Sequence, residues 1–141
     1  MPRSFETFRG VAHPWLCDAF GHLNTRHHMA LFDDAGFHFL HMLAKAGGTA
    51  DDPRLGWADV SLRTTLSDEA PLGALVVIRT QLLKLGRSSV TYLHEMRSAD
   101  DDRLHSACEC VTVRFDLEAR KSAPLGEALI AAAAPWIDAE D

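Results

Sequence analysis

The longest periodic stretch of the chain runs from about Asn24 to Lys45. Met29, Phe32, Gly36, Phe39 and Leu43 recur every three or four positions, and Ala35, Leu40 and Met42 widen the stripe. This spacing predicts an amphipathic helix. Asn24 or Thr25 is suited to cap its start, Asp33 and Asp34 follow in the early turns, and Lys45 precedes a Gly47-Gly48 stop. A helix of about 20 residues spans roughly 30 Å, long for so small a chain, which makes it the central element. From Trp57 to Leu66 the pattern changes to alternation, with Ala58, Val60, Leu62 and Leu66 on one side and Asp59, Ser61, Arg63 and Thr65 on the other. Ala70-Pro71-Leu72-Gly73 reads as a turn. Three further strands are predicted at about 74–84, 88–97 and 104–115, joined by hairpins at Lys84-Leu85-Gly86-Arg87 and Ala99-Asp100-Asp101-Asp102. Val90, Tyr92, His94 and Met96 share one face of the middle strand, and Val111, Val113 and Phe115 one face of the last. A short strand from about Phe8 to His13 precedes the helix.

Strand, long helix, then a run of antiparallel strands is an α+β order, not a doubly wound one. A single helix covers only one side of such a sheet, so a partner subunit is expected to protect the rest. Neither a repeat nor a linker divides residues 1–141, which read as one domain. The composition is that of an ordinary globular chain, 47% hydrophobic and 24% charged. No window approaches a membrane span, and Met1 to Glu6 lacks the apolar stretch of a signal peptide. The net charge of −6 argues against a nucleic-acid surface built on bulk charge. Three cysteines, an odd number, suit a reduced cytoplasmic setting better than a disulfide framework.

The chemistry concentrates in Cys17-Asp18-Ala19-Phe20-Gly21-His22-Leu23-Asn24, just before the helix. A helix N-terminus offers unpaired N–H donors and a positive dipole end, which stabilise an oxyanion forming on a carbonyl. A carboxylate beside it can attack that carbonyl or take a proton from water. Spacing alone equally allows Asp18 and Asn24 to be turn caps and His22 a loop histidine.

Asp18-Ala19-Phe20-Gly21-His22-Leu23-Asn24 resembles the D-x-x-G-H-x-N signature of hotdog-fold acyl-CoA thioesterases, the 4-hydroxybenzoyl-CoA thioesterase-like group. Leu31-Phe32-Asp33-Asp34-Ala35, Leu85-Gly86-Arg87-Ser88-Ser89 and Phe115-Asp116-Leu117 with Ser122-Ala123-Pro124-Leu125 are similar to later segments of that family, in the same order. The resemblance implies a hotdog fold, a long central helix wrapped by an antiparallel sheet, with active sites at the interface of a homodimer or dimer of dimers. It implies hydrolysis of an acyl-CoA to a free acid and CoA, with no cofactor beyond the CoA of the substrate. Asp18 is then the nucleophile or general base, and backbone N–H groups from His22 to Thr25 polarise the carbonyl. Asn24 orients the loop or the water, and His22 supports the acid or contacts substrate. Phe20 and Gly21 fall in the substrate-binding part of the motif. Glu69, in Thr64-Thr65-Leu66-Ser67-Asp68-Glu69, aligns with an acid that faces the active site across the dimer.

Three departures from the family bear on the substrate. His28 stands where many relatives have tyrosine, Gly36 where many have arginine, and Leu66 where many have tyrosine. Gly36 either enlarges an acyl pocket or permits closer helix–sheet packing, and His28 adds a titratable group near Asp18. Lys84, Arg87, Ser88 and Ser89, with Arg120 and Lys121, are candidates for the CoA phosphates, against the plain reading of a solvated basic turn. Asp34, His38 and His41 share a helical face, but no metal motif accompanies them and no metal site is expected. Cys17 is weighed as a nucleophile with His22 as base, and set behind Asp18 because nothing visible orients that imidazole. Cys108 and Cys110 point to one side of a strand as core-like thiols. A non-catalytic acyl-CoA-binding hotdog module is the alternative, and a hotdog hydratase a weaker one. The Trp15–Cys17–Asp18 lead-in also resembles thioesterases of carnitine and betainyl-CoA breakdown, for which Asp34 or Glu69 with Trp15 or Phe20 would meet a cationic acyl group.

Overall fold

The computed structural model describes residues 3–137. Strand β1 (Ser4–Val11) leads through a 3-10 turn at Pro14–Leu16 and the Asp18 loop into helix α1 (Thr25–Ala46). Strands β2 (Leu55–Leu66), β3 (Leu75–Leu85), β4 (Ser89–Ser98) and β5 (Leu104–Asp116) follow, then a two-residue β6 (Lys121–Ser122) and helix α2 (Glu127–Ile137). Every pairing is antiparallel, in the order β1-β3-β4-β5-β2, with β6 on β5. The predicted central helix and the four strands after it lie within two residues of their expected bounds, whereas β1 begins earlier, at Ser4.

The apolar stripe of α1 is what seats it across the sheet. Ala35, Phe39 and Leu43 are fully buried against Val76, Ile78, Leu82, Val90, Tyr92 and Met96 of the central strands. Burying side chains of this size contributes about 1.5–3 kcal/mol each. Asn24 caps the helix by accepting the Arg26 N–H at 3.1 Å, and Gly47 closes it. Gly47 also has no room for a side chain, since a Cβ there would lie 2.7 Å from that of Leu129 on α2.

Helix α2 is absent from the expectations, which go no further than Leu125. Its signal is the run Glu127-Ala128-Leu129-Ile130-Ala131-Ala132-Ala133-Ala134, dense in strong helix formers, and Pro135 falls only in its last turn. Leu129 and Ala133 bury against the end of α1, and Trp136 packs on Phe5 at 5.0 Å between centroids.

One strand face needs correction. In β2 the register shifts between Asp59 and Ser61, so the alternation expected from Ala58 to Leu66 does not hold through it. The bulge leaves Val60 exposed and places Asp59, itself exposed, on the face toward α1, where it accepts the Thr112 hydroxyl at 2.8 Å. In β5 the face toward α1 is the one bearing Ser106, Cys108, Cys110, Thr112 and Arg114, while Val111, Val113 and Phe115 share the half-buried opposite face. Cys108 and Cys110 are buried, as expected. No helix among the described residues is long and apolar enough to cross a membrane.

Candidate active site

The Asp18 loop is a tight reversal built by its own sequence. Oδ1 of Asp18 accepts the Phe20 N–H at 2.9 Å and the Asp18 carbonyl accepts the Gly21 N–H at 3.0 Å. Gly21 holds φ of +82°, which favours glycine. The loop is tied to the turn before β3, with Leu23 N–H donating to the Ala70 carbonyl at 2.8 Å and Leu72 N–H to the Gly21 carbonyl at 2.9 Å. Its position is therefore fixed by backbone hydrogen bonds to the sheet.

Asn24 serves two neighbours with one amide. Its oxygen caps α1, and its nitrogen donates to Oδ2 of Asp18 at 3.2 Å. The Phe20 N–H and the Asn24 amide together hold the Asp18 carboxyl below the usual carboxylate range, so it is an anion at neutral pH. Such a group is a base or nucleophile, not an acid. The Thr25 N–H, first of the helix, has no acceptor among the described residues. It is an unpaired donor at the positive end of the dipole, one residue from the Asn24 that holds Asp18.

His22 and Glu69 pair with each other, Nε2 to Oε2 at 3.0 Å. Within one chain, Glu69 thus meets this loop. A cavity of about 520 Å³ is bounded by Asp18, Phe20, His22, Thr25, His28 and Glu69, together with Leu66 and His105. Phe20 is 82% exposed at its rim, and Trp15 is exposed and stacked on His13 at 4.3 Å between centroids.

His28 is buried, and its Nδ1 lies 2.7 Å from Oγ of Ser106. Burial and the neighbouring His105 push its pKa down, against the Leu23 backbone. It is a neutral wall of the cavity. His105 and Ser106 escaped the sequence reading. The Asp68 carbonyl can only accept, so Nδ1 of His105, 3.2 Å away, carries the proton. Nε2 of His105 is buried with no hydrogen-bond partner among the described residues. The only sequence signal was polarity at the head of a strand, which a strand end also produces.

Other candidates stand elsewhere. Lys84, Arg87, Ser88 and Ser89 occupy the β3–β4 turn, at the opposite end of β3 from the Asp18 loop. Eleven strand residues separate the two ends by roughly 35 Å, so one chain does not bring them together. Arg120 and Lys121 flank β6 near that same far end. Asp34, His38 and His41 are exposed on α1, and no three His, Cys, Asp or Glu side chains converge among the described residues. Burial pushes the Cys17 thiol up, which leaves it a poor nucleophile. Gly36 lines a second cavity, where a Cβ would lie 3.7 Å from Nε2 of His94 and 3.9 Å from the Tyr92 hydroxyl. A Cβ there would make ordinary van der Waals contacts.

Residues 12–133 match the thioesterase-like superfamily, and the chain belongs to it. The enzyme class that goes with this membership is thioester hydrolysis, and the architecture is the hotdog fold. Among solved structures, a Staphylococcus aureus protein in complex with CoA superposes with a TM-score of 0.83 at 14% identity, covering 97% of this chain and 85% of that one. A 1,4-dihydroxy-2-naphthoyl-CoA thioesterase from Synechocystis gives 0.76 at 14% identity, over 94% and 96%. A gentisyl-coenzyme A thioesterase gives 0.75 at 18% identity, over 92% and 98%. No curated protein sequence matches the chain.

Proposed function

We propose that the protein hydrolyses acyl-CoA thioesters, with Asp18 as the catalytic carboxylate. The observation that carries this reading is the Asp18 carboxylate, held ionised by Phe20 N–H and Asn24, in a cavity that also contains the first residue of α1. The thioester carbonyl would accept from the free Thr25 N–H. Asp18 would then add to the carbonyl carbon, or take a proton from a water that does, and the C–S bond would break to release CoA thiolate. The His22–Glu69 pair would brace the loop and face the substrate, with Phe20 at the entrance. The CoA-bound neighbour and the two thioesterases named above support CoA as the thiol half of the substrate.

The functional unit we infer is a homodimer or a dimer of dimers. Strand β2 is an unpaired edge of the sheet, with Val60, Leu62 and Leu66 exposed along it. The distance of the Lys84–Ser89 hairpin from the Asp18 loop of its own chain supports a second copy as the source of the basic and hydroxyl groups that meet the CoA arm.

A thiol-release assay over short, aromatic, long and cationic acyl-CoAs tests the activity and finds the acyl group. Turnover of at least one of them, lost in Asp18→Asn, is the expected result. Full turnover in Asp18→Asn overturns the role of Asp18. Saturable acyl-CoA binding without thiol release across the panel would instead favour a non-catalytic binding module.

A further inference from the structure

The second cavity, about 330 Å³, lies between α1 and the β5–β2 side of the sheet. Met29, Thr64 and Cys108 stand between it and the Asp18 cavity, the Thr64 hydroxyl lying 2.8 Å from the Met29 sulfur and 3.4 Å from that of Cys108. At the far end is Arg114, only 2% exposed. Its Nη2 donates to the Thr49 hydroxyl at 2.8 Å and its Nη1 to the Gly56 carbonyl at 3.4 Å, and it lies over the Trp57 ring at 4.3 Å. All three partners are neutral.

A buried guanidinium is expensive unless a negative charge compensates it, which is why buried charges are almost always paired. Among the described residues no carboxylate lies within ion-pair distance of Arg114. Asp52 acts on the guanidinium only from a distance, and neither nearby acid hydrogen-bonds to it. Asp59 accepts the Thr112 hydroxyl, and Asp52 accepts the Arg54 N–H at 2.9 Å. Arg114 thus presents to the cavity wall a charge with no direct ion-pair partner, and a guanidinium fork is shaped for a carboxylate.

We propose that this cavity binds an organic monocarboxylate, its carboxylate on Arg114 and its apolar body against Phe32, Gly36, Leu40 and Trp57. The apolar wall accounts for the body and the guanidinium for the head. Asp33 and Asp59, exposed on the cavity's open side, disfavour a second negative charge on the ligand. The site is distinct from the Asp18 cavity and stands whether or not the chain hydrolyses thioesters.

Calorimetric titration of the full chain with octanoate and benzoate, against octanamide and benzamide of matched shape, reads the site directly. At least one carboxylate is expected to saturate the protein and to bind tenfold or more tightly than its amide. Arg114→Met should weaken that carboxylate at least tenfold, and Gly36→Leu, which fills the cavity and spares the guanidinium, should do the same. Asp18→Asn should leave it unchanged. Equal binding of acid and amide, no saturable carboxylate, or loss of binding in Asp18→Asn would each overturn the proposal. Where Arg114→Met does not fold, the acid–amide comparison on the unmodified chain and the Gly36→Leu variant decide. The preferred acid also separates two sources. If it matches the acyl group of the fastest-hydrolysed thioester, the site senses product, and if it differs, the site senses another acid.

Discussion

The two cavities along α1 are built by opposite means. At the N-terminal end the Asp18 site is made of one contiguous loop, polar and open, with its carboxylate held by main-chain and amide hydrogen bonds. Further along the helix the Arg114 cavity is assembled from residues far apart in sequence, Thr49, Gly56, Trp57 and Arg114. A loop that hydrogen-bonds to itself tunes a charge while keeping it in contact with water. A guanidinium walled in by strands and a helix keeps its charge away from water and depends on neutral partners. The first arrangement suits a group that reacts, the second a group that waits for a counter-charge.

The sharpest way to break this contrast is at Asp18. If hydrogen bonds alone hold it ionised, Asp18→Asn keeps the loop geometry and removes the reactive group, and kcat should fall by about 10²–10⁴-fold, the range for a general base. The acid limb of kcat/KM in the unmodified enzyme should lie below the ordinary carboxylate value of 3.8, because the folded-state pKa is depressed. A limb near 6 to 7 would assign the essential base to a histidine instead.

The same contrast explains what the sequence made legible. The Asp18–Asn24 stretch was readable because its geometry is local, as were the stripe of α1 and the strands beyond it. Asp59 was assigned to the wrong face because one bulged residue inverts the alternation that precedes it, and a bulge leaves no mark in a two-residue period. Arg114 was passed over because an arginine on a strand reads as solvated, and only the pairing of β5 with β2 stacks it on Trp57. His105 escaped for a related reason, as its partner is the main chain of Asp68, across the sheet. The Ala-rich run of α2 was legible by its helix formers alone, although no expectation was set for it.

The buried region should also be the one that pH unsettles. His94 is buried beside the second cavity, its Nδ1 2.6 Å from the Thr80 hydroxyl, and burial takes its pKa from 6.5 to about 4. A folded-state pKa below the unfolded one means stability that is complete above about pH 6.5 and is lost as pH falls toward about 4. The loss should approach about 3 kcal/mol, and His28, depressed in the same sense, adds to it. Urea midpoints measured from pH 7 to 4 check this. His94→Gln should flatten the slope over that window, and an unchanged slope would mean that His94 protonates freely in the folded chain.

Asn24 joins a structural duty to a functional one. Asn24→Ala removes the cap of α1 and should cost about 1 kcal/mol of stability. It also removes the amide on Asp18, so the acid limb of activity should move up toward the ordinary carboxylate value. Asn24→Asp separates the two duties. Its carboxylate still caps the helix but places a like charge beside Asp18, so stability should hold while the limb moves up further.

The smallest effect is expected from the pair that looks most like a catalytic dyad. His22 and Glu69 are 3.0 Å apart, but the Glu69 side chain is 71% exposed, and such pairs contribute about 0–1 kcal/mol. If they only brace the loop, Glu69→Gln keeps a hydrogen-bond partner for His22 and should leave stability within that range and kcat within a few fold. A loss approaching that of Asp18→Asn would mean that the imidazole–carboxylate pair moves the proton itself. Asp18 would then act as the nucleophile, with His22 activating the water that resolves the intermediate.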